Sequence, residues 1–214
     1  MIKKLSPLPN FLANRYNKWK ETTYSANAIW FEKIAKEGQN PSAMIISCCD
    51  SRVHVTSIFG AEEGDFFIHR NVANLVPPFS PNGDYHGTSA AIEFATKELK
   101  VPHLIILGHT GCGGIKHGYD LYSNNSHKDY VFINKWLSIL IPAFNNISKN
   151  VSQHNQIQLL EEESIKISLK NLFDFPNIKE SVENKSLSVH GLIHDIGSGK
   201  LKYLNPITEQ FEII

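Results

Sequence analysis

A histidine and a cysteine that could bind a metal stand three residues apart in the stretch GHTGCGG, as His109 and Cys112. They directly follow an apolar run, and the glycines around them let the backbone turn sharply. Zinc takes imidazole and thiolate ligands together, and close pairs of this kind are common in its sites. Alone, the pair fits a core histidine and a buried thiol at a strand end just as well.

A second stretch, CCDSR, places further candidate ligands at the end of another apolar run. In an extended chain residues i and i+2 point to the same side, so Cys48 and Asp50 converge while Cys49 faces the other way. Cys48 is therefore the candidate ligand. We expect Cys49 to pack behind it as a small hydrophobe.

Together the two stretches offer three protein ligands for one zinc ion, namely Cys48, His109 and Cys112. A catalytic zinc site keeps a fourth position for water or substrate, whereas a structural site closes it with another protein ligand. Asp50 could be that fourth ligand, in a closed state. Arg52 could instead hold the carboxylate away from the metal, and the residues alone leave both arrangements open.

The elements that must position these residues alternate between strands and helices. Strands are predicted at 43–48, 65–69 and 101–109, helices at 90–100, 129–147 and 156–173, and a final strand pair around 197–199. This alternation predicts an α/β fold with a mainly parallel central sheet flanked by helices, with both chemical stretches at carboxyl ends of strands. Residues 117–129 are predicted as a loop.

The N-terminal segment is predicted as a helical arm over residues 10–37, with a stop at Gly38. We expect one domain over residues 1–214, divided into the arm, 1–38, and a zinc-binding α/β core, 39–214.

The arm carries Trp19, Trp30 and Phe31 on more than one face, although a helix packing on its own domain needs only one apolar stripe. The surplus predicts burial against a second copy, in a homodimer or homotetramer. Packing of these aromatics within one chain is the alternative.

The overall composition excludes several classes of protein. Lys and Arg together number 21, as do Asp and Glu, so the net charge is zero and indicates no affinity for nucleic acid or anionic membrane. We find no signal peptide and no apolar run long enough to span a bilayer. Three cysteines without a signal argue against a disulfide scaffold and indicate a cytoplasmic protein with thiols free to bind metal.

Several motifs, in order and at their observed separations, resemble the β-class carbonic anhydrases. The stretches that carry the resemblance are CCDSRV, HRNVAN and GHTGCGG, supported by HGTSAAIEFA and HGLIHDIGSGKL. The resemblance covers about residues 10–206, nearly the whole chain.

The resemblance implies that Cys48, His109 and Cys112 bind zinc. The implied reaction is the reversible hydration of CO2 to bicarbonate and a proton, by attack of zinc-bound hydroxide. Asp50 and Arg52 match the catalytic dyad of the family.

The resemblance also assigns residues to the substrate pocket and its surroundings. Gln39 stands at the position of a substrate-binding glutamine that reaches the site across a dimer interface, and Phe67 matches an apolar wall residue. Phe94 replaces the tyrosine of plant-type members. Ile45 stands where one subgroup carries a tryptophan of an inhibitory bicarbonate site, so we expect that site to be absent.

Three other functions remain as alternatives. The chain could be a non-catalytic zinc protein or bicarbonate sensor with Asp50 as a permanent ligand, or a hydrolase of CS2 or COS on the same fold. A thiol enzyme using Cys48 and Cys49 is disfavoured, because the usual redox spacing is C-x-x-C. His54 is either a proton shuttle or an ordinary surface histidine, and we expect Arg70 and Asn71 to organise loops by hydrogen bonding.

Overall fold

The computed structural model describes residues 5–83, 86–123 and 130–214. The chain divides into two compact units, Met1–Gln39 and Asn40–Ile214. No helix in the described ranges is both long enough and apolar enough to cross a membrane.

The second unit is built on a six-stranded sheet with the strand order β2-β1-β3-β4-β5-β6. The strands are β1 (Ala43–Cys48), β2 (Phe66–Asn71), β3 (His103–His109), β4 (Ser188–His194), β5 (Leu201–Leu204) and β6 (Phe211–Ile213). Strands β2, β1, β3 and β4 run parallel to one another, whereas β5 and β6 are antiparallel additions at one edge. The predicted α/β fold with a mainly parallel sheet is confirmed.

Along the chain, helices connect the parallel strands of this sheet. They are α3 (Val55–Phe59), α4 (Gly87–Glu93), α5 (Gly113–Tyr122), α6 (Ile133–Leu137), α7 (Ile141–Asn146), α8 (Gln153–Phe173) and α9 (Pro176–Glu183). A π-helical turn, Phe94–Glu98, extends α4, and 3-10 turns occupy Val72–Asn74 and Ser138–Leu140.

Strand β1 is buried at every position, as expected for a central strand of a sheet covered on both faces. The long helix α8 packs closely on β3 and β4 because two glycines leave room for it. A Cβ atom placed on Gly108 or Gly191 would lie 2.7 or 2.9 Å from a side-chain carbon of Ile165 on α8. This close packing carries the preceding turn of α8 towards the carboxyl end of β3.

The first unit is helical, as predicted, with α1 (Asn10–Trp19), a π-helical turn Lys20–Tyr24 and α2 (Ala28–Glu37). Gly38, with φ of +76°, ends α2. Aromatic rings of Trp19, Tyr24 and Phe31 pack on one another, yet neither α1 nor α2 contains a buried residue.

Two details of the predicted elements were wrong. Residues 117–122, predicted as loop, continue helix α5, while 124–129 lie outside the described residues. The helix predicted at 129–147 begins only at Ile133 and is broken by the 3-10 turn at Ser138–Leu140. The short elements α3, α9 and β6 were not predicted, since each is too short to show a clear periodicity.

Candidate metal centre

The sheet brings the three predicted ligands together. Cys48 is the last residue of β1 and His109 the last residue of its parallel neighbour β3, while Cys112 immediately precedes α5. Because parallel neighbours end at the same edge, the ligand atoms of these residues all lie within 4.8 Å of one another. All three side chains are buried.

The spacing of the two sulfur atoms suits a tetrahedral zinc site. Cys48 Sγ lies 3.8 Å from Cys112 Sγ. Zinc–sulfur bonds of about 2.3 Å with tetrahedral angles put two thiolates about 3.8 Å apart, so the pair fits the ion without rearrangement.

His109 is oriented as a metal-ligating histidine is. Its Nδ1 lies 3.0 Å from the Thr110 carbonyl oxygen, to which it donates, and this contact leaves Nε2 as the free acceptor. In the described part of the chain, Nε2 is buried and has no hydrogen-bond partner. A buried imidazole nitrogen that lacks a hydrogen-bond partner and lies beside two thiols is suited to bind a metal ion.

The Cys48 and Cys112 thiols lie within hydrogen-bonding distance of each other, and either could be the donor. The hydrogen bond between them lowers the pKa of Cys48 and raises the pKa of Cys112, whose burial adds to the increase. Two adjacent buried thiolates would repel each other, and a bound divalent cation removes that repulsion.

Asp50 and Arg52 form a bidentate pair beside the ligands. Arg52 Nε donates to Asp50 Oδ1 at 2.9 Å and Arg52 Nη2 donates to Oδ2 at 2.7 Å, and the Arg52 backbone N–H donates to Oδ1 at 3.0 Å. These hydrogen bonds hold the pKa of Asp50 well below its usual range. Asp50 Oδ2 lies 4.0 Å from His109 Nε2, so the carboxylate stands at the edge of the ligand group.

Arg70 fixes the loop that follows β1, as predicted. Its guanidinium donates to the backbone carbonyl oxygens of Cys48, Asp50 and Val53 at 2.7–2.9 Å. Asn71 organises the next turn, because its side chain both donates to the Leu75 carbonyl and accepts from the Leu75 N–H.

Cys49 lies outside the ligand group, as predicted, but its predicted packing behind Cys48 was wrong. The side chain is exposed, and the backbone N–H of Cys49 donates to the Asn71 carbonyl at 2.9 Å. Strand β1 ends at Cys48, so the chain leaves the sheet before Cys49 can turn into its opposite face.

The remaining predicted residues lie elsewhere. Exposed His54 is hydrogen-bonded through Nδ1 to the Ser57 and Thr56 hydroxyl groups. Phe67 packs on Phe94, with ring centroids 5.8 Å apart, and pairs with Met44 in the sheet rather than with the end of β1.

Gln39 is the last residue of the first unit. Its role at the site stays a prediction.

One buried carboxylate at the site was not predicted. Glu161 on α8 is 3% exposed, and its Oε1 accepts from the Cys112 N–H at 2.9 Å. Burial raises its pKa, against the lowering effect of the backbone N–H groups of Cys112 and Gly111. In the sequence it is the first of three consecutive glutamates, and nothing local sets it apart from the two that follow, Glu162 and Glu163, which are half-buried.

Comparisons with known proteins identify the family of the chain. Residues 43–201 match the family model described as carbonic anhydrase, so the chain belongs to the carbonic anhydrase family. The "Beta carbonic anhydrase 3" of Arabidopsis thaliana is 33% identical over 184 residues, which cover 85% of this chain and 70% of that protein.

Solved structures of β-carbonic anhydrases share the fold. The β-carbonic anhydrase CcaA superimposes with a TM-score of 0.88 at 28% identity, covering 96% of this chain and 91% of that one. A tetrameric β-carbonic anhydrase from Sordaria macrospora gives a TM-score of 0.77 at 30% identity, covering 92% of this chain and 96% of that one.

Proposed function

We propose that this chain is a zinc-dependent carbonic anhydrase that catalyses the reversible hydration of CO2 to bicarbonate and a proton. The observation that carries the proposal is a buried Cys–His–Cys group with the carboxylate of an Asp–Arg pair at its edge. Membership in the carbonic anhydrase family supports it independently.

Cys48, His109 and Cys112 would hold the zinc ion. The sulfur–sulfur distance and the unpartnered Nε2 of His109 both fit that ion. When bound, zinc would supply Lewis acidity that lowers the pKa of a water molecule and so makes a nucleophile near neutral pH.

Asp50 would orient that water by accepting a hydrogen bond. Its lowered pKa keeps it ionised and therefore a pure acceptor. Arg52 holds both carboxylate oxygens, so Asp50 cannot turn freely towards the metal and close the site. CO2 needs no protonation before attack, so this step requires no general acid.

A second copy of the chain would complete the substrate pocket. In the register of β1 and β2, Asn71 is the partner of Cys48 and Phe67 is the partner of Met44. Phe67 therefore lies four residues along β2 from the residue that faces Cys48. At about 3.3 Å per residue this is about 13 Å, too far for Phe67 to line its own chain's site. We therefore assign Phe67 to the pocket of a partner subunit. The assignment of Gln39 to such a pocket rests on the family resemblance alone.

The exposed apolar surface of the first unit supports a homo-oligomer. Residues such as Leu8, Phe11 and Ile29 are 58–86% exposed, and the related protein from Sordaria macrospora is tetrameric.

The decisive experiment combines metal analysis with stopped-flow CO2 hydration. The purified protein should contain about one zinc per chain and hydrate CO2. Cys48→Ser should lose most of both, because it removes a thiolate ligand, whereas the adjacent Cys49→Ser is the matched control and should lose neither.

Other outcomes separate the competing functions. Full zinc without CO2 hydration would indicate the non-catalytic alternative, and turnover of CS2 or COS in place of CO2 would indicate the related hydrolase. Loss of zinc in Cys49→Ser, with Cys48→Ser unaffected, would show that the wrong cysteine was assigned.

A further inference from the structure

We infer that Glu161 is a positioning residue of the metal centre, which holds the Gly111–Cys112 peptide group in the orientation that presents the Cys112 thiolate. The inference rests on the proposed zinc site. It adds a residue from α8 that lies 49 positions beyond Cys112 in the chain.

The Gly111–Cys112 peptide group is held at both of its polar atoms. Its N–H, on Cys112, donates to Glu161 Oε1 at 2.9 Å, and its C=O, on Gly111, accepts from Arg52 Nη2 at 3.0 Å. In a trans peptide these two atoms point in opposite directions within one plane. The two hydrogen bonds therefore fix the plane, and with it the direction in which Cys112 leaves the turn.

The turn needs this support because its own backbone preference is weak. Gly111 has φ of +68°, which glycine adopts freely along with many other conformations. Cys112 precedes the first residue of α5, so its N–H lies outside the helical hydrogen bonds. Cys112 is 1% exposed, and without Glu161 its N–H would be a buried donor with no acceptor.

A carboxylate is an expensive side chain to bury, so its presence here is informative. Glu161 sits among buried α8 residues such as Leu160 and Ile165, where an apolar side chain would avoid the cost of desolvation. What the carboxylate adds over an apolar side chain is a strong acceptor for a backbone N–H.

The same peptide also connects the metal ligands with the Asp–Arg pair. Arg52 Nη2 donates both to Asp50 Oδ2, at 2.7 Å, and to the Gly111 carbonyl. A tilt of the peptide plane would therefore displace the Cys112 sulfur and weaken the anchor of Arg52 together.

The test compares two substitutions of similar volume. Glu161→Met fills the same space without a strong acceptor, whereas Glu161→Gln retains an oxygen that can accept from Cys112. Zn2+ affinity is measured by competition with a chelating dye, and the ligand arrangement by the thiolate-to-metal charge-transfer bands of the Co2+-loaded protein.

We expect Glu161→Met to weaken Zn2+ binding about 10- to 100-fold, as is typical for a lost partner of a metal ligand, and to change the Co2+ spectrum. Glu161→Gln should stay close to wild type in both measurements.

Ser168→Ala is the matched control. Ser168, also on α8 and fully buried, accepts from the Val76 N–H at 3.2 Å and takes no part in the metal site. This variant should lose thermal stability while binding Zn2+ as the wild type does.

A folded Glu161→Met protein with wild-type Zn2+ affinity and Co2+ spectrum overturns the inference. If Glu161→Met does not fold, Glu161→Gln decides: near-wild-type affinity supports positioning, and a 10-fold or larger loss shows that charge acts instead of the hydrogen bond. If the wild-type protein binds no Zn2+, the proposed function fails as well. The two failures can be told apart, because that one appears in the wild-type protein and the failure of the inference appears in the Glu161→Met variant.

Discussion

Asp50→Asn isolates the role of the carboxylate at the edge of the metal centre. An amide keeps one oxygen but replaces the other with an NH2 group. That group would face Arg52 donor to donor, because Arg52 donates to both Asp50 oxygens, at 2.9 and 2.7 Å. The variant therefore loses the bidentate pair and the charged acceptor for the incoming water.

The expected effect on activity is large. Loss of one preorganised electrostatic contact costs about 2–4 kcal/mol of transition-state stabilisation. This corresponds to a decrease in kcat/KM of about 30- to 900-fold, at about 1.36 kcal/mol for each factor of ten.

The expected effects on metal binding and folding are small. Zinc should stay at about one per chain, because all three ligands remain. Folding stability should fall little, since the Arg52 side chain is 55% exposed and solvent screens the pair.

The assay is stopped-flow CO2 hydration at fixed pH, with zinc analysis and thermal unfolding of the same samples. Asp120→Asn is the matched control, because Asp120 pairs with Lys116 on the exposed side of α5 and should change none of the three measurements. Wild-type hydration rates in Asp50→Asn, with zinc retained, would refute the assigned role.

The remaining predictions concern Arg52, the dependence of activity on pH and bicarbonate, and the oligomeric state. Arg52→Ala should keep zinc but lose activity, because Asp50 is freed to bind the metal; a wild-type rate contradicts this. Activity should rise towards alkaline pH. Two thiolates already neutralise the charge of Zn2+, so the metal would lower the pKa of a bound water molecule less than a zinc ion with neutral ligands does. Because the pKa of Asp50 is lowered, Asp50 should stay ionised until the pH falls well below about 4. Its pair with Arg52 should be lost only in that acid range. Added bicarbonate should not deepen inhibition at mildly acid pH, because Ile45 replaces the tryptophan of the inhibitory site, and a steep bicarbonate-dependent loss would show that the site exists. Light scattering should give at least a dimer, and a fully active monomer at assay concentration would rule out a shared pocket.

Residue types and strand ends carry most of what could be predicted. Cys48, His109 and Cys112 stand at or just after the ends of apolar runs, and parallel strands place such ends at one edge whatever the details of packing. The ligand group and the sheet were therefore predictable from local patterns.

Tertiary structure decided the contacts that depend on packing across the chain. Glu161 is one of three consecutive glutamates, and only the close approach of α8 to Gly108 and Gly191 places it beneath Cys112. Cys49 is exposed because strand β1 ends at Cys48, and side chains alternate between the two faces only within the strand. Sequence periodicity alone does not identify the exact residue at which a strand ends. Such contacts depend on where helices and strands stop and how closely they pack, and a one-dimensional pattern specifies neither.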